Sequence, residues 1–89
     1  MISVTMVDAN VYQVHIEGEV ETSHRVSMSQ EYYRDLCGAM VTHEFVVMSA
    51  MRFLLEREPN TAILAAFDLS EIPRYFPEFE SEIKTRLNR

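Results

Sequence analysis

The segment at residues 45–55 constrains the fold more than any other part of the sequence. Within it, only Ser49 and Arg52 are not apolar. Thr42 suits a helix N-cap, and the apolar spacing that follows predicts a helix over residues 43–58. A helix that faces water on one side carries a polar stripe. This segment carries almost none, which predicts that the helix lies at the centre of the fold or is shared with a partner chain.

The chain before this helix follows the period of two that is typical of strands with one buried face. The alternation predicts an antiparallel meander of three strands, at residues 2–7, 11–18 and 22–28. Matching the apolar faces sets the expected pairing. Between the first two strands it pairs Met6 with Tyr12, Val4 with Val14 and Ile2 with Ile16. Between the second and third strands it pairs Ile16 with His24, Val14 with Val26 and Tyr12 with Met28.

After the third strand the apolar period lengthens to that of a helix. The pattern predicts four or five helices, with Ser29 as the N-cap of the first, Gly38 at its C-terminal end and Ser70 as the cap of the fourth. They lie at residues 30–37, 43–58, 61–67, 69–76 and 78–88. The predicted fold is α+β, a three-stranded meander (residues 2–28) with a helical layer (residues 30–88) packed on one sheet face. All of it belongs to a single domain, residues 1–89.

Composition and charge exclude several classes of function. The chain has 89 residues and a formal net charge of −6, from 14 acidic and 8 basic side chains. No segment is basic, so the charge does not favour binding to nucleic acid. The start of the sequence lacks the pattern of a signal peptide, and no apolar run reaches the roughly 20 residues that span a membrane. We therefore expect a cytoplasmic protein without a membrane segment.

Residue types that carry catalysis or bind metals are few and scattered. The one cysteine, Cys37, falls on the inward side of a predicted helix, which favours an inert core thiol. His15 is expected on the outer sheet face opposite Arg25, His24 at the inner rim, and His43 in solvent at a helix start. Neither a zinc-binding spacing nor a glycine-rich phosphate loop occurs in the sequence. The sequence therefore predicts a non-enzymatic protein without a catalytic residue, metal or cofactor.

The predicted third strand contains Arg25-Val26-Ser27-Met28 and is followed by two predicted helices. This arrangement, over residues 24–58, resembles a ribbon-helix-helix repressor. The resemblance implies a dimer in which two such strands pair and Ser23, Arg25 and Ser27 read the DNA major groove. The acidic balance of the chain and Glu44 at the start of the second helix make this function the alternative rather than the favoured one.

A pattern in the second half of the chain consists of Phe53 to Pro59, Ile63-Leu64, Phe67-Asp68-Leu69, Ile72 and Tyr75 to Glu78. It resembles a family of small bacterial proteins with no assigned activity, and the similarity spans most of the chain. The resemblance implies a shared fold and a bacterial origin, and no function. Read by themselves, Tyr75-Phe76-Pro77 indicate a helix break whose aromatic side chains fill the core or a partner's groove.

The favoured function is a non-enzymatic protein-protein interaction module that forms a homodimer. A fold this small gains stability when it recruits a second copy. Self-association can bury an apolar helix face or pair an open sheet edge, for which residues 2–7 and residues 22–28 are the candidates. On the central helix, small residues allow close approach, and the candidate interface consists of Val46, Ser49, Ala50 and Phe53.

Overall fold

The computed structural model describes residues 1–38 and 40–87, and its mixed α and β architecture agrees with the predicted class. Four strands form one sheet in the order β1-β2-β3-β4: β1 (Ile2–Asp8), β2 (Val11–Ile16), β3 (Thr22–Ser27) and β4 (Ala66–Asp68). The described residues also form three α-helices: α1 (Gln30–Cys37), α2 (His43–Leu55) and α3 (Phe79–Leu87). Short 3-10 helices occupy Asn60–Ala62 and Leu69–Arg74.

The sheet therefore has one strand more than predicted, and the described residues form fewer α-helices than the predicted four or five. The expected end of the last helix, residue 88, lies outside the described residues. Strands β1, β2 and β3 are antiparallel, as predicted.

The pairing of β1 with β2 is the predicted one, with Met6 opposite Tyr12. The pairing of β2 with β3 differs from the prediction by two residues, since Val14 lies opposite His24 rather than Val26. β2 ends two residues earlier than predicted, so the turn that leads to β3 is longer. Because side chains alternate with a period of two, this shift leaves every side chain on its predicted face.

β4 is a parallel strand in a segment, residues 61–67, that was predicted to form a helix. That prediction is wrong, because the chain makes only a short 3-10 turn there and then pairs with β3. Ile63 and Phe67 are both buried, and a helix with the same spacing would bury them too. The open side of β3 favours the strand, since its backbone groups gain partners there. The Arg25 N–H, for example, donates to the Ala65 carbonyl oxygen at 2.7 Å.

Local capping chemistry is confirmed at the first two helices. The side chains of Ser29 and Thr42 accept hydrogen bonds from backbone amides in the first turns of α1 and α2. Gly38 ends α1 in the left-handed conformation, at a φ of 59°. The prediction of Ser70 as a third cap is wrong, because Asp68 caps the 3-10 helix that follows β4.

Helix α2 is shorter than predicted and has a solvent-facing side. It ends three residues early because Pro59 disfavours a helical conformation at Glu58. Six of its side chains are buried: Val46, Val47, Ala50, Met51, Phe53 and Leu54. Phe45 and Arg52, on the other side, are exposed. The helix is thus central, in contact with β1 and α3, but the expectation that no side of it meets water is wrong.

Candidate interaction surfaces

The predicted interface on α2 lies mostly inside the protein. Val46, Ala50 and Phe53 are fully buried by the chain itself, and Ser49 is partly buried. The Phe53 ring, for example, meets the edge of the Phe79 ring of α3, with 5.0 Å between ring centroids. A second copy therefore cannot contact these three buried side chains while the fold is intact.

Strand β3 lies inside the sheet, with β2 on one side and β4 on the other. Residues 22–28 are therefore not an open edge, although the sequence pattern predicts one there. Of the candidate DNA-reading residues, Ser23 and Arg25 are exposed on the outer sheet face. Ser27 is half-buried, and its hydroxyl donates to Asp68 Oδ1 at 2.6 Å. A ribbon-helix-helix dimer needs two unpaired third strands, and here β4 occupies that side of β3.

Strand β1 is one of the two edges of the sheet, and its outer side is open. The Glu17 N–H donates to the Met1 carbonyl oxygen at 2.9 Å, which makes these two residues a hydrogen-bonded pair. Such pairs alternate along an antiparallel ladder. The backbone N–H and C=O groups of Ile2, Val4 and Met6 consequently point away from β2. Among the described residues, no strand pairs with this outer side.

The side chains of β1 do little to protect that edge. Met6 and Val7 are each 49% exposed, while Ile2 and Val4 are partly buried against the core. Proteins commonly protect an edge strand with lysine, proline or an inward-pointing charge. The strand Ile2–Asp8 contains none of these within its first six residues. An apolar strand with an unpaired ladder is a site at which another strand can add.

An apolar groove of about 310 Å³ lies between the end of α2 and the chain around β4. Its inner wall consists of the mainly buried side chains Leu54, Ile63, Phe67 and Ile72. Two large side chains at the groove are open to solvent, Leu64 at 54% and Tyr75 at 67%. We call this feature the β4 groove. Tyr75, which was expected to fill the core or a partner's groove, thus lines a groove of its own chain.

Two carboxylates also line the β4 groove. Glu71 uses one oxygen to accept a hydrogen bond from the Asp68 N–H at 2.8 Å, which completes the cap of the 3-10 helix. The Glu58 side chain makes no hydrogen bond or ion pair with any described residue. The groove therefore combines an apolar wall with negative charge.

His24 anchors the chain that forms one lip of this groove. It is only 2% exposed, and its Nδ1–H donates to the Leu64 carbonyl oxygen at 2.7 Å. Its Nε2 lies 2.9 Å from the oxygen of the Thr22 hydroxyl. The same oxygen accepts a hydrogen bond from the Asn60 side-chain amide at 2.9 Å. His24 lies on its predicted face, but the Leu64 carbonyl oxygen to which it donates is 40 residues away in the sequence. No local pattern could have identified that partner.

The other histidines and the cysteine make local contacts. His15 lies opposite Ser23, not Arg25, because of the register shift, and its Nδ1 is 3.2 Å from the Ser23 hydroxyl. His43, which was expected in solvent, stacks on the Tyr33 ring with 3.8 Å between centroids. The thiol of Cys37 is buried and donates to a backbone carbonyl oxygen at 3.4 Å. In the part of the chain that the structure describes, no three acidic, histidine or cysteine side chains form a group that could hold a metal.

Two arginines join the end of α2 to α3. Arg57 donates to Glu82 at 2.9 Å, and its guanidinium lies 3.6 Å from the centre of the Phe53 ring. Arg86 donates to Glu56 at 2.6 Å, and this hydrogen bond holds the pKa of that carboxyl below its usual value. These cations are thus engaged within the fold, which removes them from the set that could neutralise phosphates.

Comparison with known proteins adds no further assignment. No protein-family model matches the chain, and neither a curated protein nor a solved structure matches it. The resemblance to a family of small bacterial proteins stays a prediction. Across residues 1–38 and 40–87, the structure contains no helix of the length and apolar character needed to cross a lipid bilayer.

Proposed function

We propose that this protein is a non-enzymatic interaction module that forms a homodimer through strand β1. The observation that carries the proposal is the open outer side of β1, where three residues present unpaired backbone groups. Of the two edges named from the sequence, β1 is the one that remains, since β3 is covered on both sides. The other edge of the sheet, β4, has only three residues and offers a much shorter ladder.

The requirement that all three outward-facing residues of β1 pair at once selects one register for the proposed dimer. In an antiparallel pair related by a two-fold axis, Val4 lies opposite Val4 of the partner subunit. Ile2 then lies opposite Met6 of the partner subunit, and every pair joins residues whose backbone groups point outward. The side chains of all three residues lie on the helix-covered face, so their pairing adds apolar cross-strand contacts to the hydrogen bonds.

Helix α2 supports the same arrangement. It packs on β1, so joining two β1 strands would bring two copies of α2 into one continuous helical layer. The solvent-facing side of α2 includes Phe45, which is half exposed in the single chain. Exposed apolar area of this kind, on a helix that packs on β1, is what a dimer would cover.

Light scattering on the full chain, with one charge-inserting variant, tests the proposal. We expect twice the mass of one chain for the parent protein and the mass of one chain for Met6→Lys. A lysine on an edge strand blocks pairing, and in the proposed register the charge would enter an apolar contact. Val20→Lys is the matched control, because Val20 is similarly exposed but lies in the turn between β2 and β3. It should leave the dimer intact.

Two results would contradict the proposal. One is a parent protein with the mass of a single chain at every concentration up to its solubility limit. The other is a dimer that Met6→Lys leaves unchanged. Circular dichroism of both lysine variants shows whether each is folded, and the half-exposed position of Met6 makes unfolding an unexpected outcome.

The DNA-binding alternative has less support from the geometry. It would require β4 to leave β3 before two β3 strands could pair, and the Glu44 carboxylate lies beside the α2 N-terminus. It stays a prediction that a mobility shift with DNA at low salt would test.

A further inference from the structure

We propose that the β4 groove binds a short segment of a partner protein in which an apolar side chain is next to a lysine or arginine. This site is separate from the β1 edge, and its occupation does not require a dimer. The proposal rests on the shape of the groove, its apolar wall, its two carboxylates and the bonds that hold it open.

The wall and lips of the groove suit an apolar side chain. Its volume of about 310 Å³ lies at the small end of the range for binding pockets, about 300–1,000 Å³, which fits an anchoring side chain better than a large cofactor. Leu64 and Tyr75 leave more than half of their surface in water. An apolar side chain placed between them would remove that surface from solvent, and burial of apolar surface is the main favourable contribution to such contacts.

The charge of the groove selects the flanking residue of the partner. Glu58 has no cationic partner among the described residues, and Glu71 uses one of its oxygens for helix capping. The whole chain carries a net charge of −6, which adds a long-range attraction for cations. A lysine or arginine next to the apolar anchor would lie beside Glu58, whereas an acidic segment would be repelled.

The groove is held open before any partner binds. One lip is fixed by the hydrogen bond between His24 and the Leu64 carbonyl oxygen. The opposite wall is the 3-10 helix, whose first turn is closed by the reciprocal hydrogen bonds of Asp68 and Glu71. Because these segments are already ordered, a partner segment would lose little affinity to ordering the site.

A random peptide library displayed on phage, selected against the immobilised full chain, tests the proposal. We expect the selected peptides to share an apolar residue beside lysine or arginine. Synthetic copies of them should bind the parent protein in fluorescence anisotropy, and the affinity should fall as salt is raised. Leu64→Glu should weaken binding about tenfold or more, because it places a carboxylate in the apolar contact. Glu58→Gln should weaken binding about threefold and reduce the salt dependence.

Val20→Glu is the matched control, since Val20 and Leu64 are both exposed and apolar but lie in different loops. It should bind the peptides as the parent protein does. The proposal is overturned if selection yields no shared pattern or an acidic one, or if Leu64→Glu binds normally. It is also overturned if Leu64→Glu lowers the mass of the unliganded protein, because the groove would then hold a second copy. The monomeric Met6→Lys variant should still bind the peptides, which separates this proposal from the homodimer.

Discussion

The two edge strands of the sheet are held by different interactions. β1 has seven residues, and within the described chain no hydrogen bond between side chains ties it to β2. β4 has three residues, and side chains fasten the chain around it at several points. Ser27 donates to Asp68 across the β3–β4 pair, His24 donates to the Leu64 carbonyl oxygen, and Asn60 donates to the Val20 carbonyl oxygen at 2.7 Å.

The difference shows what each kind of edge needs. A long antiparallel ladder has enough backbone hydrogen bonds and cross-strand contacts to hold itself. A parallel strand of three residues has few of either, so side-chain bonds must supplement it. The same difference accounts for the two surfaces. The outer side of β1 stays free to pair with a second strand. The chain beside β4 is held by side-chain hydrogen bonds and forms a preformed groove.

The largest loss of stability on the β4 side is expected from His24→Leu. The change removes both bonds of a buried imidazole and leaves the Leu64 carbonyl oxygen and the Thr22 hydroxyl with poorer partners. We expect the free energy of unfolding to fall by about 2 kcal/mol in urea denaturation. His15→Leu, on the outer sheet face, is the control and should change it by less than about 0.5 kcal/mol. Equal losses for the two variants would show that the hydrogen bonds of His24 beside β4 stabilise the fold no more than the contacts of His15 on the outer sheet face.

The two edges also differ in how well they could be predicted from the sequence, because β1 is long and pairs with its neighbour in sequence whereas β4 is short and does not. The β1–β2 pairing follows from matching apolar faces, and the caps at Ser29 and Thr42 follow from local chemistry. β4 is too short to show an alternation, and it forms because the side of β3 away from β2 is free. The apolar residues around it, Ile63, Leu64 and Phe67, have a spacing that a helix would share, so the period of the sequence could not decide between strand and helix.

The β4 groove was not predicted, since Tyr75 was expected to fill the core or a partner's groove rather than to line a groove of this chain. Its wall is built from segments that are distant in sequence, such as Leu54 at the end of α2 and Ile72 in the 3-10 helix. Each of these residues taken alone is indistinguishable from a core residue. The open edge at β1 was predicted as one of two candidates, and the topology of β4 is what removes the other.

A smaller effect is expected beside β1, at the buried tyrosine opposite Met6. The Tyr12 hydroxyl is buried without a hydrogen-bond partner among the described residues, and burial, followed by the charge of Glu44, raises the pKa of this phenol. Tyr12→Phe removes an unsatisfied polar group, so we expect the free energy of unfolding to rise by about 1 kcal/mol. Tyr33→Phe is the comparison, because the Tyr33 hydroxyl donates to the Val41 carbonyl oxygen, and its loss should lower stability. A decrease for Tyr12→Phe in urea denaturation would show that this hydroxyl has a partner after all.

The smallest effect depends on pH and tests the bond that crosses from β3 to β4. Burial raises the pKa of Asp68, but the hydrogen bonds from Ser27 and Ser70 outweigh it and hold that pKa below its ordinary value of 3.8. A carboxyl with a lowered folded-state pKa stabilises the fold above its unfolded-state pKa, and this contribution is lost as the pH falls through the folded-state value. Ser27→Ala should therefore cost about 0.5 kcal/mol near neutral pH, after allowance for solvent screening.

The cost of Ser27→Ala should then shrink as the pH is lowered below about 4, because the protonated carboxyl is a weaker acceptor. Ser23→Ala is the control, because Ser23 lies four positions before Ser27 in β3 and its hydroxyl contacts His15 rather than a carboxylate. Its effect should not vanish in that acid range. Urea denaturation of both variants between neutral pH and pH 3 measures the difference. If the cost of Ser27→Ala stays constant over that range, the charge of Asp68 does not fasten β4, and backbone pairing alone must hold the short edge.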